Sequence, residues 1–321
     1  MSLAEAVEGG VSIEVIVVQS DRPSDQTAQP PATIVSREGI VPMSRQNRPD
    51  EANVQQQTAM PVRILVKGAS TVTWTSGMGG PRTNFTYPRV LEQELRGRGR
   101  DVESWVTAMS AERTTSILRR WEVEVSGFSP DVIVLHYGHM EAIHAFIPRW
   151  FERHVRGLRD RPGPIRERYR RLVLAPVWKV LVRVQQKIDR RLPQRLFHRR
   201  PEKVTALLER YVSRVQLFHS PLVIVMGLTS PNLRWRDWFP GLHGRIAEMD
   251  QALAGLVERI DRPNVQFQPV WDLAEEWDAR GVDPRADGGH YTPEFHRVVG
   301  GLLAERVEAW AATQPHLTPR D

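Results

Sequence analysis

From Val62 onward the chain repeats one alternation: a short, nearly unbroken apolar run, then a longer stretch in which apolar positions recur every three or four residues. Short unbroken runs suit strands buried on both faces, and the longer period suits the helices that cover them, so the pattern is that of βα units building a parallel sheet. Five strands are predicted: Val62 to Val66, a stretch around Val102 to Val106, Val132 to Leu135, Leu222 to Met226, and a short one at Val265 to Phe267. Helices are predicted near Tyr87 to Arg96, Arg113 to Val123, Gly244 to Ile260, Val270 to Ala279 and Pro293 to Ala311. The last of these has Thr292 as its N-cap and Pro293 at its first position. The expected fold class is α/β, a three-layer open parallel sheet of five strands.

One segment breaks this rhythm, because about seventy residues separate the third and fourth strands where a crossover needs only a dozen or so. Residues 145–215 therefore read as a helical insertion into an α/β domain formed by 61–144 and 216–313, with 314–321 as a tail. Within the insertion Val177, Leu181, Val184 and Ile188 recur at helical spacing, and Lys179, Arg183, Lys187 and Arg190 occupy the other faces, which predicts an amphipathic helix resting on that apolar stripe. Before the first strand, residues 20–60 are rich in Gln, Pro, Ser, Asp and Thr without a sustained apolar period. Residues 1–60 are accordingly expected to be a disordered extension, with the functional protein starting at about Met60.

Charge changes the picture of the insertion. Between Ala145 and Arg214 there are 20 Lys/Arg against 6 Asp/Glu, while the rest of the chain holds 24 against 32. A local basic block of this kind is either a solvated helical face or a surface for an anion: a membrane surface, an anionic acyl donor, or a contact between copies. Nucleic acid fits less well, since no recognised binding motif accompanies the charge and the aromatics are not spaced as a stacking platform. The oligomeric state is left open. The absence of cysteine excludes disulfides, thiolate metal sites and a cysteine nucleophile. The early apolar run Val11 to Val18 is short, carries Glu14 and has no basic segment before it, so it fails as a signal peptide and a cytoplasmic location is the expectation.

In an open parallel sheet, functional groups gather where strands end at their carboxyl edge. Gly68-Ala69-Ser70 follows the first strand and can present a hydroxyl there, although Ser70 could equally cap the next helix. Asp287-Gly288-Gly289-His290 precedes the last helix, and an Asp three residues before a His can orient the imidazole toward a serine. The cluster His136, His139, Glu141 and His144 invites a metal reading, but it straddles a strand end and its loop, and its spacing matches neither a metalloprotease helix nor a ββα finger. No metal or other cofactor is expected.

The order of Gly-x-Ser after the first strand and Asp-x-x-His before the last helix resembles the SGNH (GDSL-like) hydrolase family, from about Val62 to Ala311 with the insertion excluded. The resemblance implies a flavodoxin-like fold and hydrolysis of acyl esters, with Ser70 as nucleophile and Asp287 and His290 completing the triad. Gly68, Ala69 and Ser70 stand where the family has Gly-Asp-Ser, and Tyr291 to His296 looks like its usual continuation. The family's second block supplies a backbone donor to the oxyanion, and here Ala111 stands in that place. Its third block, Gly-x-Asn-Asp, is replaced by Gly138-His139-Met140-Glu141. A thioether cannot donate as an amide does, so His139 and Asn84 become candidates for the missing donor, beside His144 and Arg82, with the backbone of Ser70 as the other donor.

Substrate contacts are expected from Gly138, His139 and Glu141 and from Trp235 and Trp238 in the loop after the fourth strand. Two readings follow. One is an active esterase, acting on an O-acylated carbohydrate or a small ester, or an acyltransferase with the same triad. The other is a binding protein that kept the fold while its third block decayed.

Overall fold

The computed structural model describes residues 60–318 apart from 76–79, 82, 109–111, 144–149, 152–153, 155–157, 159–162, 192–198 and 286. The N-terminal segment expected to be disordered lies outside the described residues. In chain order the elements are β1 (Val62–Gly68), α1 (Ser70–Thr73), α2 (Tyr87–Gly97), β2 (Val102–Ala108), β3 (Val132–His136), α3 (His139–Ile143), α4 (Pro164–Tyr169), α5 (Ala175–Arg191), α6 (Arg199–Phe218), β4 (Leu222–Met226), α7 (Leu233–Trp238), α8 (Leu242–Ile260), β5 (Val265–Gln268), α9 (Trp271–Ala279) and α10 (Pro293–Ala311).

The five strands form one parallel sheet in the order β2-β1-β3-β4-β5, the flavodoxin-like arrangement with its switch point between β1 and β3. Strand periodicity sends alternate side chains to opposite faces. Val62, Ile64 and Val66 of β1 join Val132, Val134, Leu222 and Ile224 beneath α2, α9 and α10, where Tyr87, Leu91, Phe295, Val299 and Leu303 are buried. Leu65, Ile133, Leu135, Val223 and Val225 face the other way, onto α6 and α8 through Val204, Leu208, Tyr211, Leu242, Met249 and Leu253. β3 and β4 are buried throughout, which is why each reads as an unbroken apolar run.

Four expectations need correction. The helix expected at Arg113 to Val123 is replaced by a 3₁₀ turn, Thr114–Ser116, and a π-helix, Glu122–Gly127. Polar contacts govern this stretch. The Thr114 N–H donates to Glu141 Oε1 at 2.7 Å, and the buried Glu124 pairs with the buried Lys67 of β1.

Residues 199–218, assigned above to the insertion, form a crossover helix of the second core, with Val204, Leu208, Tyr211, Val212 and Val215 all buried. The C-terminal tail is likewise part of the domain, since Leu317 is 1% exposed in the first core and its carbonyl accepts from Arg100 Nη1 at 2.6 Å.

The insertion helix α5 lies on a different face from the one its apolar pattern predicts. Val177 and Val184 are 41% and 44% exposed, whereas Gln185 and Asp189 are buried. Specific polar partners set this orientation. Gln185 Nε2 donates to the Ile143 carbonyl at 2.9 Å, and Asp189 receives both terminal nitrogens of the buried Arg245 at 2.7 and 3.0 Å. Arg245 Nε donates to the Ala142 carbonyl at 3.0 Å, so α5, α8 and α3 are joined by one polar cluster.

Candidate active site

β1 ends at Gly68, where a Cβ would stand 2.6 Å from the His136 carbonyl oxygen and 2.6 Å from Val72 Cγ2. Only glycine lets β1 run this close to β3 at the sheet edge. Ala69 follows in extended conformation and Ser70 opens the single turn α1. Across the edge, the segment before α10 folds back on itself. Asp287 Oδ1 accepts from the Gly289 and His290 N–H groups at 2.9 and 2.8 Å, a local side-chain turn that places the imidazole beside the carboxylate.

Asp287 Oδ2 lies 2.7 Å from His290 Nδ1, and His290 Nε2 lies 3.0 Å from Ser70 Oγ. With Nδ1–H donated to the carboxylate, Nε2 carries the lone pair that accepts from the serine hydroxyl. Burial alone would raise the Asp287 carboxyl, but the His290 side chain and the two N–H groups outweigh it and hold the group below its ordinary value. The ring of Trp74 packs on the imidazole, with centroids 5.6 Å apart. Such a relay can remove a proton from a hydroxyl and return it to a leaving group.

Gly288 has φ +93°, and any Cβ there would fall 1.8 Å from the indole nitrogen of Trp235. That nitrogen donates to the Asp287 carbonyl at 3.1 Å. Trp235, expected at the substrate, is thus a brace on the turn that carries Asp287 and His290. Trp238 is partly buried against the second core, with Arg234 over its ring. Asn232 caps α7, accepting from Trp235 N at 3.1 Å, and donates to Asp283 and to the Arg285 carbonyl at 3.0 and 3.3 Å. Arg285 is wholly buried, bonded to Ser230 Oγ at 3.2 Å and paired with Asp278.

The third block begins at Gly138, φ +117°, packed so closely that a Cβ would stand 3.0 Å from Met249 and 3.2 Å from Leu228. His139 is 8% exposed. Burial lowers its pKa to about 4, against the nearby Thr229 backbone, which favours the charged form. The ring is therefore neutral with a single N–H, and its buried Nδ1 has no partner. A neutral imidazole donates from one nitrogen only, where an asparagine amide offers two donor hydrogens.

Glu141 is buried and directed to Thr114 N. Asn84 is exposed, in a groove of about 510 Å³ with Phe85, Arg89, Val90, Gln93, Pro293 and Arg297, whose lining includes neither Ser70 nor His290. His144, Arg82 and Ala111 lie outside the described residues. His136 Nδ1 is 3.2 Å from the Tyr87 hydroxyl. Among the described residues no three His, Asp or Glu side chains converge as metal ligands.

Sequence reasoning missed Trp74, Asn232, Arg285 and His296. Of these, Asn232 carried a signal, a side-chain acceptor placed just before a helical stretch. His296 is buried, accepting from Tyr87 N and bonding the Trp74 carbonyl through Nε2, both at 3.1 Å, so it ties Trp74 to α2 and α10.

No curated protein matches the sequence. Solved structures with a similar fold include the lipase/acylhydrolase from Enterococcus faecalis, at 14% identity over 82% of this chain and 100% of that one, with a TM-score of 0.52. Others are a catalytic mutant of an acetylxylan esterase from Geobacillus stearothermophilus, at 12% identity over 82% and 100% with a TM-score of 0.49, and a carbohydrate acetylesterase from Sinorhizobium meliloti, at 14% over 77% and 99% with 0.46. At 14% identity the likeness to the first of these speaks for the fold alone. The sequence itself matches the GDSL-like lipase/acylhydrolase family over residues 73–298, a stretch that starts just after Ser70 and contains the third block and the Asp287 turn. By that match, which spans most of its length, the chain belongs to the GDSL-like lipase/acylhydrolase family.

Proposed function

We propose that the chain is a serine esterase in which Ser70 attacks the acyl carbon of an ester. The observation that supports this reading is the continuous hydrogen-bonded series from Asp287 through His290 to Ser70, at 2.7 and 3.0 Å. As the Ser70 Oγ–C bond forms, His290 Nε2 takes the hydroxyl proton and then delivers it to the departing alcohol. Water, deprotonated by the same imidazole, cleaves the acyl-serine and releases the acid. Asp287 holds the imidazole in the tautomer with hydrogen on Nδ1 and stabilises its charged form. The Ser70 N–H is the proposed first donor to the oxyanion and Ala111 N–H the second.

With Met140 in the asparagine position, the site has one amide donor fewer than the family's usual set. Loss of one such donor costs about 100- to 1,000-fold in turnover, so a slow esterase is expected. The proposed ester is an O-acylated carbohydrate or another small ester.

The test is covalent labelling by a fluorophosphonate, read by intact mass and peptide mapping. Labelling at Ser70 is expected, absent in Ser70→Ala and His290→Ala, with aryl acetate hydrolysis falling about 10,000-fold in Asp287→Asn. A folded protein that takes no label, even from the smallest reagent, would favour a binding protein instead. Transfer of the acyl group to an added sugar in preference to water would make the enzyme an acyltransferase.

A further inference from the structure

Helix α5 turns its polar residues Gln185 and Asp189 inward and leaves apolar ones outside. Val173, just before it, and Val177, Val180 and Val184 within it are 44%, 41%, 57% and 44% exposed. Their spacing of four, three and four residues places them in one stripe. Upstream in the same helical run, Ile165 and Leu172 are 82% and 70% exposed. Lys179, Arg183 and Lys187 recur every four residues along the neighbouring face, exposed and outside every ion pair of the described residues. Residues 164–191 carry 9 Lys/Arg against 2 Asp/Glu, and one of those acids, Asp189, is buried against Arg245. Trp150, 65% exposed, adjoins Phe151, which stacks on Trp178 of this helix.

An apolar stripe this long is not what a solvated face requires. A basic stripe running beside it restricts the occupant. A second copy docked through the same face by two-fold symmetry would set Lys179, Arg183 and Lys187 against their own counterparts, with no exposed acid in the stripe to neutralise them. An anionic bilayer surface meets both demands at once. Valine side chains enter the acyl boundary while lysine and arginine reach the headgroups, and a tryptophan at the rim suits the interface. No described helix is long and apolar enough to cross a membrane, so the contact is a docking in the plane of the surface.

We infer that the α4–α5 segment is a docking surface for anionic lipid bilayers. The inference does not depend on the esterase reading. It does give the polar cluster of Gln185, Asp189 and Arg245 a purpose, since that cluster fixes which face of α5 looks outward and links it to α3 at the catalytic edge.

The experiment is co-sedimentation of the full chain with vesicles of phosphatidylglycerol and phosphatidylcholine, against vesicles of phosphatidylcholine alone. Binding to the anionic vesicles only, weakened by salt, is expected. Lys179→Glu, Arg183→Glu and Lys187→Glu combined should lower partitioning by at least about 100-fold, at roughly 5-fold per basic side chain. Val177→Ser, Val180→Ser and Val184→Ser combined should lower it about 10-fold or more. These side chains are exposed, so both variants should retain the wild-type circular dichroism and melting. Absence of binding to anionic vesicles overturns the inference, as does binding that survives both sets of changes. A concentration-dependent dimer that the valine variant abolishes, without vesicle binding by the wild type, assigns the stripe to a second copy instead.

Discussion

Gly288 is the residue on which the geometry of the site depends most narrowly. Its positive φ is one that L side chains adopt only with strain, and the Trp235 ring occupies the space a methyl group would need. Gly288→Ala must therefore displace either the turn or the indole, and the indole holds the Asp287 carbonyl. Because the change sits in a turn outside both hydrophobic cores, the fold should persist while the Asp287–His290 register is lost. The expected outcome is a drop in aryl acetate turnover of about 100-fold or more, of the size that misplacement of reacting groups by about an ångström produces, with the circular dichroism spectrum unchanged. Met140 carries the converse prediction. If it stands where the family places its asparagine, Met140→Asn should restore a donor and raise kcat by about 10-fold or more with little change in KM. An unaltered kcat would show that the oxyanion is held elsewhere.

At this scale the candidate triad was legible because its order along the chain and its two glycine-rich turns are local features, written in Gly68 to Ser70 and Asp287 to His290. The missing donor was not legible. Whether His139 can donate depends on which of its nitrogens carries the hydrogen, which is set by what its buried ring meets in the fold, and no spacing rule encodes that.

At the scale of elements, strands and helices were legible in proportion to how far hydrophobic burial alone decided them. β3 and β4, covered on both faces, announced themselves as apolar runs, and α10 was bounded by Thr292 and Pro293 as expected. Where buried polar pairs decide, the pattern misled. The segment around Glu124 became a π-helix holding a carboxylate against Lys67, and α5 turned by the demands of Gln185 and Asp189 away from its own valine stripe. The Asp189–Arg245 pair is the sharpest case, with side chains 1% and 3% exposed. Removing one partner leaves a buried charge without its counterion, so Asp189→Ala should destabilise the protein by about 3–5 kcal/mol in urea unfolding. Replacing both, Asp189→Leu with Arg245→Met, should recover most of that loss, because the desolvation of both charges is relieved together. A double variant as unstable as the single one would mean that the bond from Arg245 to the Ala142 carbonyl, and through it the seating of α3, matters more than the pair.

The whole molecule carries an acid sensitivity that follows from how its histidines are buried. His139 and His296 are lowered to about 4 and His136 well below its usual value, each chiefly by burial. These rings are neutral in the fold, while the same residues in the unfolded chain take up protons below about pH 6.5. Between pH 6.5 and about 4 the unfolded state thus binds more protons, so their contribution to stability is complete above 6.5 and is lost as the pH falls. Asp250 works in the opposite sense. Burial raises it to about 6, so it protonates more readily in the fold and adds stability on acidification through that range. Two histidines shifted as far as these outweigh one carboxyl, and Asp287, Glu92 and Glu308, all held below their ordinary values, add further loss at the acid end. The unfolding free energy should therefore fall by of the order of 3 kcal/mol between pH 7.5 and about pH 4.5. His296→Gln keeps one donor for the Trp74 carbonyl and one acceptor for Tyr87 N but cannot titrate, and it should flatten the slope by nearly the share of one histidine. A slope that is unchanged in this variant, measured by urea melts at each pH, would mean that the acid loss comes from the carboxylates and that His296 already exchanges protons in the folded protein.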